Sequence, residues 1–405
     1  MKALVTHHYW DRPGGGELVA GGFAVALDRL GFYVELTATT KFCKTCYMDW
    51  FGIDLSKFKS HSLPFKLRAF GIYLRALSWL PSMWVVPRLK PDFVFVDFYQ
   101  TKPIISLKRR YGFKTGEYIH FPFETVYGPK KITDWRNDPY LAERYGRFPW
   151  NLYLEGSLWL GERFNRGNPF EVHDVVWANS RWTAELVRLV HGEYPRVLNP
   201  PIPPNVEIVK EPKPFEEREL DVIMIGRFSF EKRYHWVVSE VMPKLAKEVP
   251  GVRLVIVGGT GTVPSERYYQ QTLELARKYG VNVELHKNAP GKLKLELMDR
   301  SRVFLHATIN EHWGVVVTEA MARGLPVVVH RSGGAWTDIV GNGEYGIGYS
   351  IDPQRIDEVV DALAKLLTDP KTWYYYSWKS QERVGDLTFD RFIKRVGEEM
   401  RLIGF

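Results

Sequence analysis

The sequence predicts an α/β protein built as two Rossmann-like domains whose parallel sheets face each other across a cleft. Three observations carry that class. Short apolar β-runs alternate with helical patterns from one end to the other, the mark of parallel sheets wound with helices. The alternation breaks near residue 200, where Asn199-Pro-Pro-Ile-Pro-Pro204 and the polar stretch Glu207–Glu219 can continue neither helix nor strand. At 405 residues the chain is also longer than one hydrophobic core usually serves. These features divide it into a first domain at 1–203, a linker at 204–219, a second domain at 220–385, and a C-terminal helix at 386–405 positioned to pack back on the first domain.

In the first domain the strands are read at Ala3–Thr6, Tyr33–Thr37, Asp92–Val96, Thr115–His120 and Asp174–Ala178. The loop Gly14–Gly16 follows the first of them. A helix then places Val19, Phe23, Ala26, Leu27 and Leu30 on one face, at the three-and-four spacing of a buried stripe. In the second domain the strands are Asp221–Gly226, Arg253–Val257, Asn282–His286, Val303–His306, Pro326–His330 and Gly346–Tyr349. Helices intervene around 234–248, 266–279, 291–299, 315–323 and 354–367. The final stretch Phe389–Leu402 repeats Phe392, Ile393, Val396 and Met400 on a single stripe.

The totals narrow the partners. Hydrophobic residues make up 45% and charged residues 25%, as in an ordinary globular protein. A formal charge of +8 suits anionic partners. No dense Lys/Arg stripe or RNA-binding signature occurs, so nucleic acid is not expected. Ala76–Pro87 is the longest uncharged apolar stretch, well short of the roughly 20 residues a bilayer span needs. MKALVTHHYW reads as a strand and not as a signal sequence, so a cytoplasmic location is expected. The two cysteines, Cys43 and Cys46, are either structural or a redox or metal pair, and they supply no disulfide framework, which agrees with a reducing compartment.

Chemistry gathers in loops that follow strands, where ligands bind in sheets of this kind. Residues 303–340 hold Glu311 and Glu319, eight apart, across a glycine-containing turn and an apolar run. A carboxylate there can grip sugar or ribose hydroxyls. Amides at the helix start, around Trp313, Gly314 and Val315, suit a phosphate. Gly226-Arg-Phe-Ser-Phe-Glu-Lys232 follows the second domain's first strand, and its Arg227 fork and Lys232 point charge suit a diphosphate. Gly14-Gly-Gly-Glu17 is either a simple turn or a ligand-facing loop. It lacks the spaced glycines and the acidic strand end of a dinucleotide fold, which argues against an NAD-dependent oxidoreductase. His120 ends a strand and is either a structural histidine or one that reaches a sugar hydroxyl or an acceptor.

Together these residues resemble the retaining GT-B glycosyltransferases of family four. Arg227 and Lys232, then Glu311 and Glu319, then Ser332-Gly-Gly carry the resemblance, with Trp177-Ala-Asn-Ser180 and Val197-Leu-Asn-Pro-Pro201 beside them. Asn310-Glu-His-Trp-Gly314, Asp338-Ile-Val340 and Tyr118-Ile-His-Phe-Pro122 are similar to the dolichol-linked α-1,2-mannosyltransferases of N-glycan precursor assembly, which have phenylalanine where this chain has Trp313. The resemblance implies hexosyl transfer with retained configuration by front-face substitution, best fitted to GDP-mannose, with UDP-sugars as the alternative donor. It implies a glycan or polyprenyl-linked acceptor. It gives His120, Arg227, Lys232 and Glu311 catalytic roles. Gly15, Gly16, Trp313, Gly314, Val315 and Glu319 join Arg227, Lys232 and Glu311 in donor binding. No metal or other cofactor is expected, because basic side chains take the place of a cation and Asp-x-Asp is absent. A non-catalytic nucleotide-sugar binder would show the same residues.

Leu63–Lys90 combines Lys66, Arg68, Arg75, Arg88 and Lys90 with Trp79 and Trp84, and Tyr140–Phe164 is similarly aromatic. Each is either core covering the first sheet or a surface for an acidic membrane face, the contact expected of an enzyme with a lipid-linked acceptor.

Overall fold

Unbroken apolar runs such as Phe93-Val-Phe-Val96 and Val327-Val-Val-His330 are what a parallel sheet covered on both faces requires, and they lie fully buried. The computed structural model describes residues 1–64, 71–97, 101–137, 141–142, 145–165, 167–350 and 352–405. These form two units, Met1–Asn205 with Thr388–Phe405, and Val206–Leu387. Both are Rossmann-like α/β units of the GT-B class.

The sheet of the first unit holds β1 (Lys2–Thr6), β2 (Tyr33–Ala38), β3 (Lys59–Ser62), β4 (Phe93–Val96), β5 (Lys114–Ile119), β6 (Val175–Ala178) and β7 (Arg196–Val197), in the order 3-2-1-4-5-6-7. Every pairing is parallel, with Ala3 beside both Val34 and Phe93. Strand order reverses between β1 and β4, so their carboxyl ends open a crevice. The sheet of the second unit holds β8 (Glu219–Ile225), β9 (Arg253–Gly258), β10 (Val283–Lys287), β11 (Ser301–His306), β12 (Val327–His330) and β13 (Ile347–Tyr349), in the order 10-9-8-11-12-13. It is parallel throughout and reverses between β8 and β11.

Two strands escape the apolar-run signal. β3, Lys-Ser-His-Ser, is an edge strand with an exposed or half-buried face, and β7 spans only two residues. The helix Pro370–Val384 was also not anticipated. It starts from an Asp369 cap that accepts the Lys371 amide, and its aromatic run leaves Tyr375 and Trp378 exposed.

Residues 206–218 fall within the stretch read as a linker, yet they are bound to the second unit. Buried Arg218 donates to the carbonyls of Lys213, Met298, Ser301 and Arg323, and the Val209 amide donates to Ala322. The C-terminal helix Phe389–Leu402 packs in the first unit against the helix Gly15–Arg29, with Phe392, Val396 and Met400 buried. Cys43 and Cys46 are joined in a disulfide, so the two cysteines read as supplying no disulfide framework do form one bridge. The bond closes a tight turn that leads into the helix Cys46–Phe51.

The aromatic segments split between core and surface. Lys66 and Arg68 of the first, and Tyr140 of the second, lie outside the described residues. Leu74, Val85, Val86 and Leu89 are core, while Met83 and Trp84 are exposed. Tyr145 and Leu154 pack with Val126 and Trp135, while Phe148, Trp150, Leu152 and Trp159 are more than half exposed. Among the described residues no helix is long and apolar enough to cross a membrane.

Candidate active site

In the second unit the loops after β8 and β11 meet at the point where strand order reverses. Lys232, in a short turn after β8, donates to Glu311 Oε2 at 2.8 Å and reaches Thr308 Oγ1 at 3.3 Å. His306, the last residue of β11, lies 3.1 Å from the same Glu311 oxygen. Burial would favour the neutral acid at Glu311. The Lys232 charge and the His306 hydrogen bond overcome it and hold the carboxyl well below its ordinary range. Burial pushes His306 down, so it is a neutral imidazole donating through Nε2. Glu311 is therefore held as a carboxylate, 2.8 Å from Lys232 Nζ.

The loop after β12 holds Glu311 in place. The Gly334 amide donates to the Glu311 carbonyl at 2.8 Å, and the Asn310 amide donates to Ser332 Oγ at 2.8 Å. Between them Gly333 has φ +74°, and a Cβ there would stand 2.2 Å from the Glu311 carbonyl oxygen. Only glycine fits. Gly314, at φ +100°, turns the chain into the helix Val315–Ala322, whose first amides lie beside the Glu311 loop in sequence. Trp313 is buried and its indole N–H has no acceptor among the described residues. Glu319 is buried on that helix, with Oε2 accepting from Lys294 at 2.7 Å.

Arg227 stands apart from this cluster. Its guanidinium is 69% exposed and its nearest acid is Glu231 at 3.5 Å, so it is free to swing toward an anion. Arg233, which the sequence reading passed over, lies closer in. It has φ +56°, its guanidinium sits 4.0 Å over the Trp236 ring, and burial lowers its pKa.

In the first unit three strand ends supply a second cluster. His7 follows β1, Asp97 follows β4 and His120 follows β5, with His120 Nε2 at 2.6 Å from Asp97 Oδ1. Gly15 opens the helix Gly15–Arg29, and a Cβ on Gly16 would meet His7 Cε1 at 3.3 Å and His120 Nε2 at 3.6 Å. Gly16 lets the helix start lie against both imidazoles. His7, Asp97, His306 and Lys294 were not picked out from the sequence. Three of the four sit at or one residue beyond a strand's carboxyl end, a positional signal that was available.

Residues 205–384 match the family described as glycosyl transferases group 1. A human GDP-Man:Man(3)GlcNAc(2)-PP-Dol alpha-1,2-mannosyltransferase is 26% identical over 276 residues, covering 65% of this chain and 55% of that protein. A sucrose synthase from Acidithiobacillus caldus is 30% identical over 170 residues, 38% of this chain and 21% of that one. The chain thus spans about half the length, or less, of these curated relatives. Among solved structures, HepE of Anabaena in complex with UDP and glucose aligns with TM-score 0.68 at 17% identity over 99% of both chains. Sucrose-phosphate synthase of Thermosynechococcus elongatus aligns with TM-score 0.69 at 16% identity, over 100% of this chain and 99% of that one. These likenesses place the fold.

Proposed function

We propose, from the match of residues 205–384 to the glycosyl transferases group 1 family, that the chain is a retaining hexosyltransferase that uses a nucleoside diphosphate sugar. GDP-mannose is the donor this reading favours, because similar proteins include GDP-Man:Man(3)GlcNAc(2)-PP-Dol alpha-1,2-mannosyltransferases. The observation that carries the proposal is the Lys232–Glu311 pair, built at the reversal point of the second sheet and inside the matched region.

Each residue then has a task. As the bond from sugar to diphosphate breaks, negative charge builds on the leaving group. Lys232, Arg227 and the amides at the start of Val315–Ala322 stabilise that charge, and preorganised electrostatics of this kind is usually the largest single contribution to rate. Glu311 grips donor-sugar hydroxyls through a carboxylate that stays ionised. Glu319 grips the ribose hydroxyls, and Lys294 orients it. His120 meets a sugar hydroxyl, and Gly15 and Gly16 admit the sugar close to the backbone. The acceptor hydroxyl attacks from the face the diphosphate leaves, passing its proton to a leaving-group oxygen, so no protein nucleophile is needed. The cationic side chains carry out the neutralisation without a metal ion.

A lipid-linked glycan is the proposed acceptor. It accounts for the exposed Trp84, Phe148, Trp150 and Trp159 as a peripheral contact with an acidic membrane face. Sedimentation with vesicles containing anionic lipid tests the contact: binding should weaken when Trp84 and Trp159 become Ser, and an unchanged bound fraction would overturn it.

The donor test is mass spectrometry of products from GDP-mannose, UDP-sugars and a polyprenyl-linked glycan, beside thermal shifts with each nucleotide and NAD. Transfer from GDP-mannose is expected. Stabilisation by NAD alone would refute the transferase reading. Glu319→Ala should raise the donor KM with a smaller change in kcat. Lys232→Ala should lower kcat by about 10²–10³, the scale for loss of one preorganised stabilising group. Full activity in both variants would remove the assigned site.

A further inference from the structure

The first unit contains a buried charge pair, His7 and Asp97, that the reaction above does not use. Asp97 is fully buried at the reversal point of the first sheet, and each of its oxygens takes an imidazole. His7 Nδ1 contacts Oδ2 and His120 Nε2 contacts Oδ1. The second nitrogen of His7 also faces only acceptors, the Tyr9 carbonyl at 3.1 Å and Glu17 Oε1 at 3.6 Å.

Protons can be assigned from these partners. Both nitrogens of His7 need a hydrogen, because an unprotonated nitrogen would set a lone pair against a carbonyl or a carboxylate. The remaining groups around His7 do not compete for its charge. His8, with its ring centroid 4.6 Å away, is kept neutral by burial first, with the charges of His7 and Arg75 adding to it. Tyr47 keeps its proton because burial, together with Glu17, Asp97 and Asp11, pushes its phenol up. Trp10 meets the His7 ring edge-on and carries no charge. Asp97 and Glu17 are thus the anions acting on His7. Burial opposes its charge, but these two carboxylates outweigh burial and push the imidazole up to about 10. Burial likewise works against ionised Asp97, and the two histidines hold it below the usual carboxylate range.

We propose that His7 and Asp97 are positioning residues: a standing imidazolium–carboxylate pair that fixes His120 as its Nε2–H tautomer and presents bare Nδ1 to a hydroxyl of the bound sugar. The inference rests on the donor-sugar role given to His120. Its logic is electrostatic. A lone buried carboxylate would draw a second proton onto His120 and turn its outward nitrogen into a donor. The His7 cation offsets that pull, and the Asp97 carboxylate accepts the Nε2–H of His120. At Gly16 a Cβ would press on both rings, so the glycine leaves them undisturbed.

Nitrogen-15 NMR of the histidines in the full chain tests this without requiring turnover. In the wild type, His7 should show two protonated nitrogens from pH 6 to pH 9, and His120 should show Nε2–H with a bare Nδ1. His7→Asn keeps a side-chain N–H for Asp97 but removes the charge. In that variant the His120 midpoint should rise by about one unit or more, a tenfold change in proton affinity. The acid limb of the kcat profile should move with it. Asp97→Asn should mix the His120 tautomers. A His7 that titrates near neutral pH in the wild type would overturn the proposal, as would a His120 tautomer and midpoint unchanged in both variants. If the wild type transfers no sugar, the donor reading fails while the NMR result still decides the charge assignment.

Discussion

Lys232 and Glu311 lie 79 positions apart in sequence, yet their charged atoms sit 2.8 Å apart. The pair is only partly exposed, so losing one member leaves a poorly hydrated charge. We expect Lys232→Ala to destabilise the second unit by about 1–3 kcal/mol at pH 7, the cost of unpairing a charged hydrogen bond, measured by urea unfolding. The pH dependence has a definite sign. The Glu311 carboxyl is held below its unfolded value, so its contribution is complete above roughly pH 4.5 and is lost as pH falls through the folded value. The stability gap between wild type and Lys232→Ala should therefore shrink between pH 5 and pH 3. A constant gap would separate Lys232 from the Glu311 charge. Both residues were legible in the sequence because each lies in a loop just after an apolar β-run, a position with a meaning independent of tertiary detail. Their partner Thr308 was not, and His306, though it ends a β-run, could not be paired with Glu311, because neither spacing nor composition says which side chains a loop will fold back upon. Lys294 was hidden for the same reason: it sits on another helix, 25 positions from Glu319.

The site's shape is set by elements as well as by charges. The loop after β12 clamps the loop after β11 through two backbone contacts, and Gly333 is the point of closest approach. Gly333→Ala would force an L-residue to φ +74°, a cost of about 1–2 kcal/mol before any clash. Its Cβ would then displace the Glu311 carbonyl. The predicted result is a donor affinity reduced by at least tenfold, with the second unit still folded, read by calorimetric titration with GDP-mannose beside a melting curve. Unaltered affinity would show that this clamp does not govern Glu311. The glycine turn at 333–334 was visible in the sequence, but what it touches was not. The same division holds for whole elements. Buried strands announced themselves as β-branched and aromatic runs, whereas β3 and β7 are short edge strands that bury too little apolar surface to leave a pattern. The helix Pro370–Val384 keeps polar and aromatic residues mixed on its surface, so its stripe is blurred.

At the scale of the whole chain, the polypeptide leaves the first unit at Asn205 and returns to it at Thr388. The returning helix was legible as an amphipathic stripe at Phe392, Ile393, Val396 and Met400. Periodicity shows that a face is buried and leaves its partner undefined. The partner surface is the helix Gly15–Arg29, where Gly22 leaves room for Phe392: a Cβ at that position would lie 2.9 Å from its ring. Phe392 meets the Phe23 ring edge-on at 5.6 Å, and Glu399 accepts from Trp177 Nε1 at 3.0 Å and from Arg196 Nη2 at 2.9 Å. The C-terminal helix therefore closes the helix layer beside β6 and β7, against the helix Gly15–Arg29 that follows His7 in the chain. Phe392→Ala should destabilise the first unit by about 3–5 kcal/mol, the range for deleting a buried aromatic ring. Leu402 is 65% exposed on the same helix, and Leu402→Ala should stay within about 0.5 kcal/mol. Urea unfolding of both variants measures the contrast. A Phe392→Ala variant as stable as Leu402→Ala would mean that the returning helix is an appendage, whereas a large loss followed by a disturbed His7 signal would tie the end of the chain to the cluster at its beginning.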